Sequence, residues 1–352
     1  MKEFTIARQE AGQRFSKYLG RMLPEAGSGF LYKMLRKKNI TLNHAKAEGN
    51  ETVREGDVVT IYFSDETFAA MSGAGADAKR PLPRFSLHPV NEEQIVYEDE
   101  HVMAVYKPQG VLSQQDAEGE ESLNEAMLQY LADRGDLTPD SIRRYKPGVC
   151  NRLDRNTAGI VWAAKTLAGA QAMSEVLRGR ALAKYYFAFA TGIFEKPVDS
   201  VLYLQKNAET NVVTISEKPS EGASVIHTGI EPVAHNRRVT LVRIRLYTGK
   251  SHQIRAVLKH LGHPVLGDPK YMPEDADTVA YFRSKYHLHG QQLFAYAYVF
   301  PENVPEALSE LSGETITGIV PDTFAELLCG ELPKKEGEHG YLEIPGSSRI
   351  FV

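Results

Sequence analysis

Between Cys150 and Lys165 the chain sets one carboxylate between two arginines and then runs straight into a strand-forming apolar segment. The order is Arg152-Leu153-Asp154-Arg155-Asn156-Thr157-Ala158-Gly159, followed by Ile160-Val161-Trp162-Ala163-Ala164. A solvated loop does not need cations so close to an acid, and a plain buried strand would not carry three charges at its entrance. An arginine beside an aspartate favours the ionised form, so Asp154 reads as a carboxylate available as nucleophile or acceptor. A structural ion pair holding a turn fits these residues equally well.

The surrounding chain narrows the choices. With 352 residues, 42% apolar and 24% charged, it has the length for two or three domains. No apolar run is long enough to span a bilayer, and the start is no signal peptide, so no membrane contact is expected. Two cysteines, Cys150 and Cys329, make neither a disulfide framework nor a zinc site, and a reducing cytoplasm is the expectation. Cys150 is read as a small apolar filler. The net charge of −4 says little about nucleic acid, because binding follows local charge.

That local charge is uneven. Arg8, Arg14, Lys17, Arg21, Lys33, Arg36, Lys37, Lys38 and Lys46 crowd the first segment. Phe15-Tyr18-Leu19-Met22 and Phe30-Leu31-Met34-Leu35 have helical spacing, Ile40 to Asn43 and Val58 to Tyr62 read as strands, and Gly56-Asp57 turns into the second. Residues 64 to 90 are rich in Gly, Ala and Pro and read as a linker. Ile95-Val96-Tyr97 and Val102 to Tyr106 then form a hairpin that ends at Lys107-Pro108-Gln109-Gly110, where proline and glycine suit a sharp turn. Ser122 to Glu125 has the form of a capping box for a helix striped by Leu123, Met127, Tyr130 and Leu131.

Beyond the central stretch, Thr166 caps and Gly179 ends a helix over residues 167–178. In the next strand Lys184, Tyr186, Ala188 and Ala190 share one face, and Tyr185, Phe187 and Phe189 the other. Val239 to Leu246 alternates as a strand. Ser251 is placed to cap a helix striped by Ile254, Val257, Leu258 and Leu261, with Arg255 in its first turn and off that stripe. Gly249-Lys250-Ser251 mimics the end of a phosphate-binding loop, but Ile244 stands where that loop needs glycine, so the reading is rejected. His252, His260 and His263 lack a carboxylate or cysteine at ligand spacing, and no metal is expected. From Pro301 onward the tail is acidic; Ala325 to Leu328 reads as a short packed helix and residues 333–345 as irregular.

Five stretches resemble known patterns. Arg152-Leu153-Asp154 with Thr157 and Gly159 resembles the His-Arg-Leu-Asp-x-x-Thr-Ser-Gly motif of the RluA-type pseudouridine synthases. Lys107-Pro108-Gln109-Gly110, the Lys184-x-Tyr186-x-Ala188 strand, and Thr248-Gly249-Lys250-Ser251-His252-Gln253-Ile254-Arg255 with Gly262-His263-Pro264, Gly267-Asp268 and Leu288-His289 are similar to that family's further motifs. The N-terminal order of helices and strands resembles the small S4-like RNA-binding domain. The chain departs from the family at Asn151 for histidine, Ala158 for serine, Lys250 for arginine and Ser251 for threonine.

The resemblance implies an α+β fold, with a mixed, largely antiparallel sheet flanked by helices. Its parts are a small α/β S4-like domain at 1–64, a linker at 65–90, a catalytic domain at 91–302 and an acidic extension of no assigned role at 303–352. It implies isomerisation of uridine in structured RNA, ribosomal or else transfer RNA, by a monomer with neither metal nor cofactor. Asp154 would be the catalytic group, with ribose and base both open as its target. Arg255 would pair with Asp154, Tyr186 would stack on the flipped uracil, and Arg152 would fill the space the base leaves. Arg155, Lys184, Lys250, His252, Gln253, Arg36, Lys37 and Lys38 would contact RNA. An RNA-binding or ribosome-assembly factor that has lost catalysis is the rival reading; Asp154, Tyr186 and Arg255 speak against it. An aspartyl-phosphate enzyme would want an acid at Asn156.

Overall fold

Apolar spacing shapes the first unit as expected. Helices α1 (Phe15–Met22) and α2 (Ser28–Arg36) bury Phe15, Tyr18, Leu19, Leu31, Met34 and Leu35. They cover a sheet of β1 (Lys2–Thr5), β2 (Ile40–Leu42), β3 (Ala45–Lys46) and β4 (Val58–Ile61), ordered β1-β4-β2-β3 and antiparallel throughout. Strand β1 escapes a sequence reading because four residues with one aromatic show no period. Arg36, Lys37 and Lys38 are exposed at the end of α2, along with Arg14, Lys17, Lys33 and Lys46. The computed structural model describes residues 1–7, 10–72, 82–117, 120–207, 210, 212–272, 277–332, 341–342 and 350–351, so Arg8 lies outside the described residues.

The expected linker is largely structured at both ends. Helix α3 (Asp65–Ser72) folds back on the first unit, where Phe68 and Met71 pack against its core and Phe68 stacks on Phe4 at 5.6 Å. Phe68 and Met71, three apart, share a helical face that the small-residue composition hides. From residue 82 the chain already belongs to the second unit: Leu82 and Phe85 pack on its core, and the Ser86 hydroxyl donates to Glu121 at 2.5 Å. Residues 73–81, which hold most of the linker's Gly and Ala, lie outside the described residues.

The second unit is one large sheet. Its strands are β5 (Ile95–Glu98), β6 (Val102–Lys107), β7 (Gly148–Val149), β8 (Ala158–Ala164), β9 (Ala183–Thr191), β10 (Val198–Lys206), β11 (Val213–Ser216), β12 (Ser224–His235), β13 (Val239–Leu246), β14 (Leu293–Val299) and β15 (Thr315–Thr317). The path is β11-β10-β12-β13-β9-β14-β8-β6-β5, with β15 against β14 and β7 against β8. Among the described residues β14 and β8 are the parallel pair, and the other pairings are antiparallel. The mixed, largely antiparallel sheet is therefore present.

Strand β9 divides the two cores. Tyr186, Ala188 and Ala190 face one, Phe187 and Phe189 the other, following the period of two. Helices α4 (Leu123–Asp133), α5 (Pro139–Arg144), α6 (Leu167–Arg178), α7 (Gln253–His260), α8 (Asp277–Tyr286) and α9 (Asp322–Glu331) accompany the sheet. Thr166 caps α6 by accepting the Gly169 N–H at 3.1 Å, as its position suggests. Ser122 does not close a capping box on α4; its hydroxyl is drawn to the Glu125 carboxylate, whose charge makes the stronger bond. The acidic extension has a packing role. Phe324 of α9 meets Phe189 and Phe294, each at 4.7 Å, and sheds nearly all its exposure, worth about 1.5–3 kcal/mol of burial. Of the stretch read as irregular, 333–340 and 343–345 lie outside the described residues, while Tyr341–Leu342 pairs with Ile350–Phe351.

Gly159 makes the β8–β14 contact possible. Its φ is +120°, and a Cβ there would lie 2.2 Å from the Ala295 carbonyl oxygen. Gly159→Ala should therefore cost about 2–4 kcal/mol, strain and overpacking together. A urea titration should show the midpoint falling with the slope unchanged; an unchanged midpoint would mean the two strands separate freely.

Candidate active site

Four anchors from distant parts of the sequence hold the turn that carries Asp154. The Leu153 N–H donates to the Ser113 hydroxyl at 2.9 Å, which donates back to the Leu153 carbonyl at 3.0 Å. The Arg155 carbonyl accepts from the Gly110 N–H at 2.9 Å and from the Lys107 ammonium at 2.9 Å. Thr157 closes the turn with its N–H on the Asp154 carbonyl at 3.0 Å, while its hydroxyl accepts from the Gln291 amide at 2.8 Å. With both sides pinned, the Asp154 side chain leaves a backbone that has little freedom.

Arg255 meets it from the first turn of α7. Its Nη1 donates to Asp154 at 2.8 Å, while Nε and Nη2 donate to the two oxygens of Asp268 at 2.7 and 2.9 Å. One guanidinium thus bridges two carboxylates, Asp268 holding its fork and Asp154 its remaining edge. Asp268 also accepts the backbone N–H groups of Lys270 at 2.9 Å and Tyr271 at 3.1 Å, and its side chain is 0% exposed. Burial works against the Arg255 charge, but Asp268 and then Asp154 outweigh it and raise its pKa. Gly267 sets this arrangement up: its φ is +74° and a Cβ would meet the Gly290 carbonyl at 2.4 Å.

The start of α7 differs from expectation. His252, not Ser251, occupies the cap position, in the left-handed region at φ 55°, and no side chain caps there. Gln253 takes over. Its Oε1 accepts from the Thr248 hydroxyl at 3.0 Å and the Lys250 N–H at 3.1 Å, and its Nε2 donates to the His227 carbonyl at 3.1 Å and the Thr228 hydroxyl at 2.9 Å. All four amide bonds are spent inside the protein, so Gln253, expected to touch RNA, instead ties α7 to β12 and to the turn that follows β13. His252 stands over the carboxylate: Nε2 lies 4.0 Å from Asp154 and Nδ1 2.9 Å from the Tyr271 hydroxyl. That phenol oxygen also accepts the Val213 N–H at 2.9 Å, so Tyr271 ties His252 to the start of β11. Burial, with Arg255 and Lys270, holds His252 below its ordinary pKa against the pull of Asp154.

Asp154, Arg255 and Tyr186 share a cleft of about 850 Å³. Burial pushes the Tyr186 phenol up to about 12, keeping its proton on at neutral pH. Lys184, two residues along the same face, also lines the cleft and is held below its ordinary pKa by burial and then by Arg180. Arg152, Arg155 and Lys250 are exposed at the rim, and Arg155 reaches Glu120 at 3.1 Å. Arg36, Lys37 and Lys38 sit on the first unit and do not line the cleft. Cys150 borders it with its thiol pushed up to about 12 by burial, consistent with an inert filler.

Three site residues have no role that the sequence suggests. Asp268 is visible there only as half of a Gly-Asp pair. Lys107 belongs to a turn that reads as structural; it is fully buried, pushed down to about 7 by burial against the opposing charge of Asp154, and donates to the Pro108, Val111 and Arg155 carbonyls. Tyr298 lies in a strand that no motif marks and lines the cleft, its hydroxyl 3.1 Å from the Asn151 amide nitrogen.

Comparison with known proteins gives the same direction from independent ground. The family model described as RNA pseudouridylate synthase matches residues 101–260. An uncharacterised RNA pseudouridine synthase of Mycoplasma pneumoniae is 30% identical over 272 residues, covering 76% of this chain and 80% of its own. The ribosomal large subunit pseudouridine synthase C of Rickettsia typhi is 30% identical over 264 residues, covering 73% and 82%. In fold, the chain is similar to human RNA pseudouridylate synthase domain-containing proteins 1 and 4. These have TM-scores of 0.51 and 0.52 at 21% and 19% identity, over 69% and 67% of this chain and 91% and 92% of theirs. The chain belongs to the RNA pseudouridine synthase family.

Proposed function

We propose that this enzyme converts uridine to pseudouridine in large-subunit ribosomal RNA, with Asp154 as the reacting carboxylate. The observation that carries the reading is the Asp268–Arg255–Asp154 bridge beside Tyr186. A carboxylate 25% exposed at the edge of a cleft, fixed by a cation that is itself fixed from behind, is aimed at whatever enters. The name of the Rickettsia relative supports ribosomal RNA as the substrate class.

In the reaction the N1–C1′ bond of uridine breaks, the uracil turns, and C5 joins C1′; the C5 hydrogen leaves as a proton and N1 gains one. Asp154 assists the first break, and Tyr186 lies over the ring. The base must leave its stack to arrive, at a cost of a few kcal/mol. Arg152, exposed at the rim, offers a planar cation that can stack and bind phosphate. A pseudouridine map of total RNA from cells with and without the gene tests the assignment: a large-subunit site should vanish. Loss confined to transfer RNA would redirect the substrate.

The S4-like reading of the first unit belongs to the same proposal and has its own test. Because α3 packs back on that unit, the cut belongs after residue 72 rather than 64. Removing 1–72 should weaken RNA binding without slowing conversion of saturating RNA. Each phosphate that the protein no longer neutralises lowers the slope of log affinity against log salt by about 0.9 on duplex or about 0.7 on single strand, so three or four such phosphates mean a drop of roughly 2 to 4. An unchanged slope across salt concentrations would mean that Arg36, Lys37 and Lys38 do not face RNA.

A further inference from the structure

Asn151 stands where the resembled motif carries histidine, and the structure gives it two partners. Its Oδ1 accepts the Trp162 backbone N–H at 2.8 Å, and its Nδ2 lies 3.1 Å from the Tyr298 hydroxyl. A backbone N–H can be satisfied only by the amide oxygen, so the first bond decides which end of the amide faces Tyr298. It is the donating end. The Tyr298 oxygen therefore accepts, and its one proton must be given elsewhere. The Ile160 carbonyl is at the limit of reach, 3.5 Å, and Tyr186, which lines the same cleft, brings a second buried hydroxyl to that wall.

Sheet register brings the two phenols to the same part of the cleft. Tyr298 lies opposite Lys184 on β9, two residues from Tyr186, so the three side chains leave the same face of the sheet and line the same cleft. Tyr298 is 1% exposed and Tyr186 7%, which puts the chain of hydroxyls in a low dielectric where successive bonds strengthen one another. A Tyr186 hydroxyl that accepts from Tyr298 keeps its own proton to give on the cleft side.

We propose that Asn151 and Tyr298 are positioning residues that fix the direction of a hydrogen-bond chain, from Asn151 to Tyr298 to Tyr186, so that Tyr186 always presents a donor to the bound base. The inference rests on the reading of Tyr186 as the residue over the uracil. As N1–C1′ breaks, negative charge spreads onto the uracil carbonyl oxygens, which are acceptors. A donor that cannot turn away favours that charged state over the neutral nucleoside.

The test compares Tyr298→Phe, Asn151→Asp and Asn151→His in single-turnover conversion of a transcript carrying the mapped uridine, with RNA affinity and melting temperature measured beside it. Tyr298→Phe should slow the saturated rate about ten-fold with affinity within about two-fold. Asn151→Asp keeps the size and the acceptor for Trp162, but its second oxygen can take the Tyr298 proton, which reverses the chain; it should slow conversion at least as much. Asn151→His can accept from Trp162 on one nitrogen and donate from the other, so it should stay within about three-fold of the parent. If Tyr298→Phe fails to fold, the Asp and His pair still decides. Equal rates for Asn151→Asp and Asn151→His, or an unslowed Tyr298→Phe, would overturn the chain. Losses that follow melting temperature alone would also overturn it. Either result would leave the Asp154 reading standing so long as Asp154→Asn is inactive; an active Asp154→Asn would strike that reading instead.

Discussion

Asp154→Asn should bind RNA within a few-fold of the parent and convert none of it on the timescale of the parent reaction. The substitution keeps the shape of the side chain and its place on the pinned turn, but removes the charge and one acceptor oxygen. Phosphate contacts made by basic residues carry most of the affinity, and those are untouched. The rate should fall by roughly 10⁴-fold or more, the scale on which losing a reacting or orienting carboxylate acts in other enzymes. Single-turnover conversion of bound RNA measures it. Substantial conversion by Asp154→Asn would show that the carboxylate is structural, the reading that the sequence alone leaves open. Added chelator should change nothing; activity lost in chelator and restored by zinc or magnesium would bring the histidines back into consideration.

The second large effect falls on a residue set back from the cleft. Asp268→Ala leaves Nε and Nη2 of Arg255, and the N–H groups of Lys270 and Tyr271, without their acceptor in a buried place. Breaking one half of such a pair costs about 3–5 kcal/mol, so the variant should melt far below the parent. Asp268→Asn is the gentler probe: it keeps one acceptor oxygen but turns an NH₂ toward the guanidinium. It should fold and still lose about 10²-fold in single-turnover rate, because Arg255 no longer points its free edge at Asp154. Arg255→Lys should resemble it, since an ammonium keeps the charge and loses the planar fork that serves two carboxylates at once. Normal turnover by Asp268→Asn would confine Asp268 to folding.

Legibility in the sequence followed the range of the interactions. The alternation of β9, the stripe of α7, the Thr166 cap and the hairpin of β5 and β6 are local patterns with a period, and each appears where the residues place it. Where two local solutions compete, the sequence misled. Ser122 and Ser251 have the right chemistry for caps, but the Glu125 carboxylate captures one, and the other is passed over by a helix that starts later and is tied down by Gln253. Helix α3 was hidden because its composition reads as linker, and its burial depends on Phe4, sixty-odd residues earlier in the chain.

What the sequence by itself determined is the set of chemical groups and their local frames: an aspartate between arginines at the mouth of a strand, a tyrosine on the small-residue face of another, an arginine off the apolar stripe of a helix. Those depend on neighbours within a turn or two, and periodicity reports them. Tertiary structure decided which groups meet, and of these only the Arg255–Asp154 pair was implied beforehand, by the family resemblance rather than by any local pattern. Arg255 and Asp154 are 101 positions apart, Asn151 and Tyr298 147, and the pairing of β9 with β14 that sets Tyr298 beside Tyr186 belongs to neither strand's own pattern. Contacts of that separation are fixed by sheet order and by buried polar groups that must find partners, and buried polar satisfaction is a property of the whole packed chain rather than of any stretch of it.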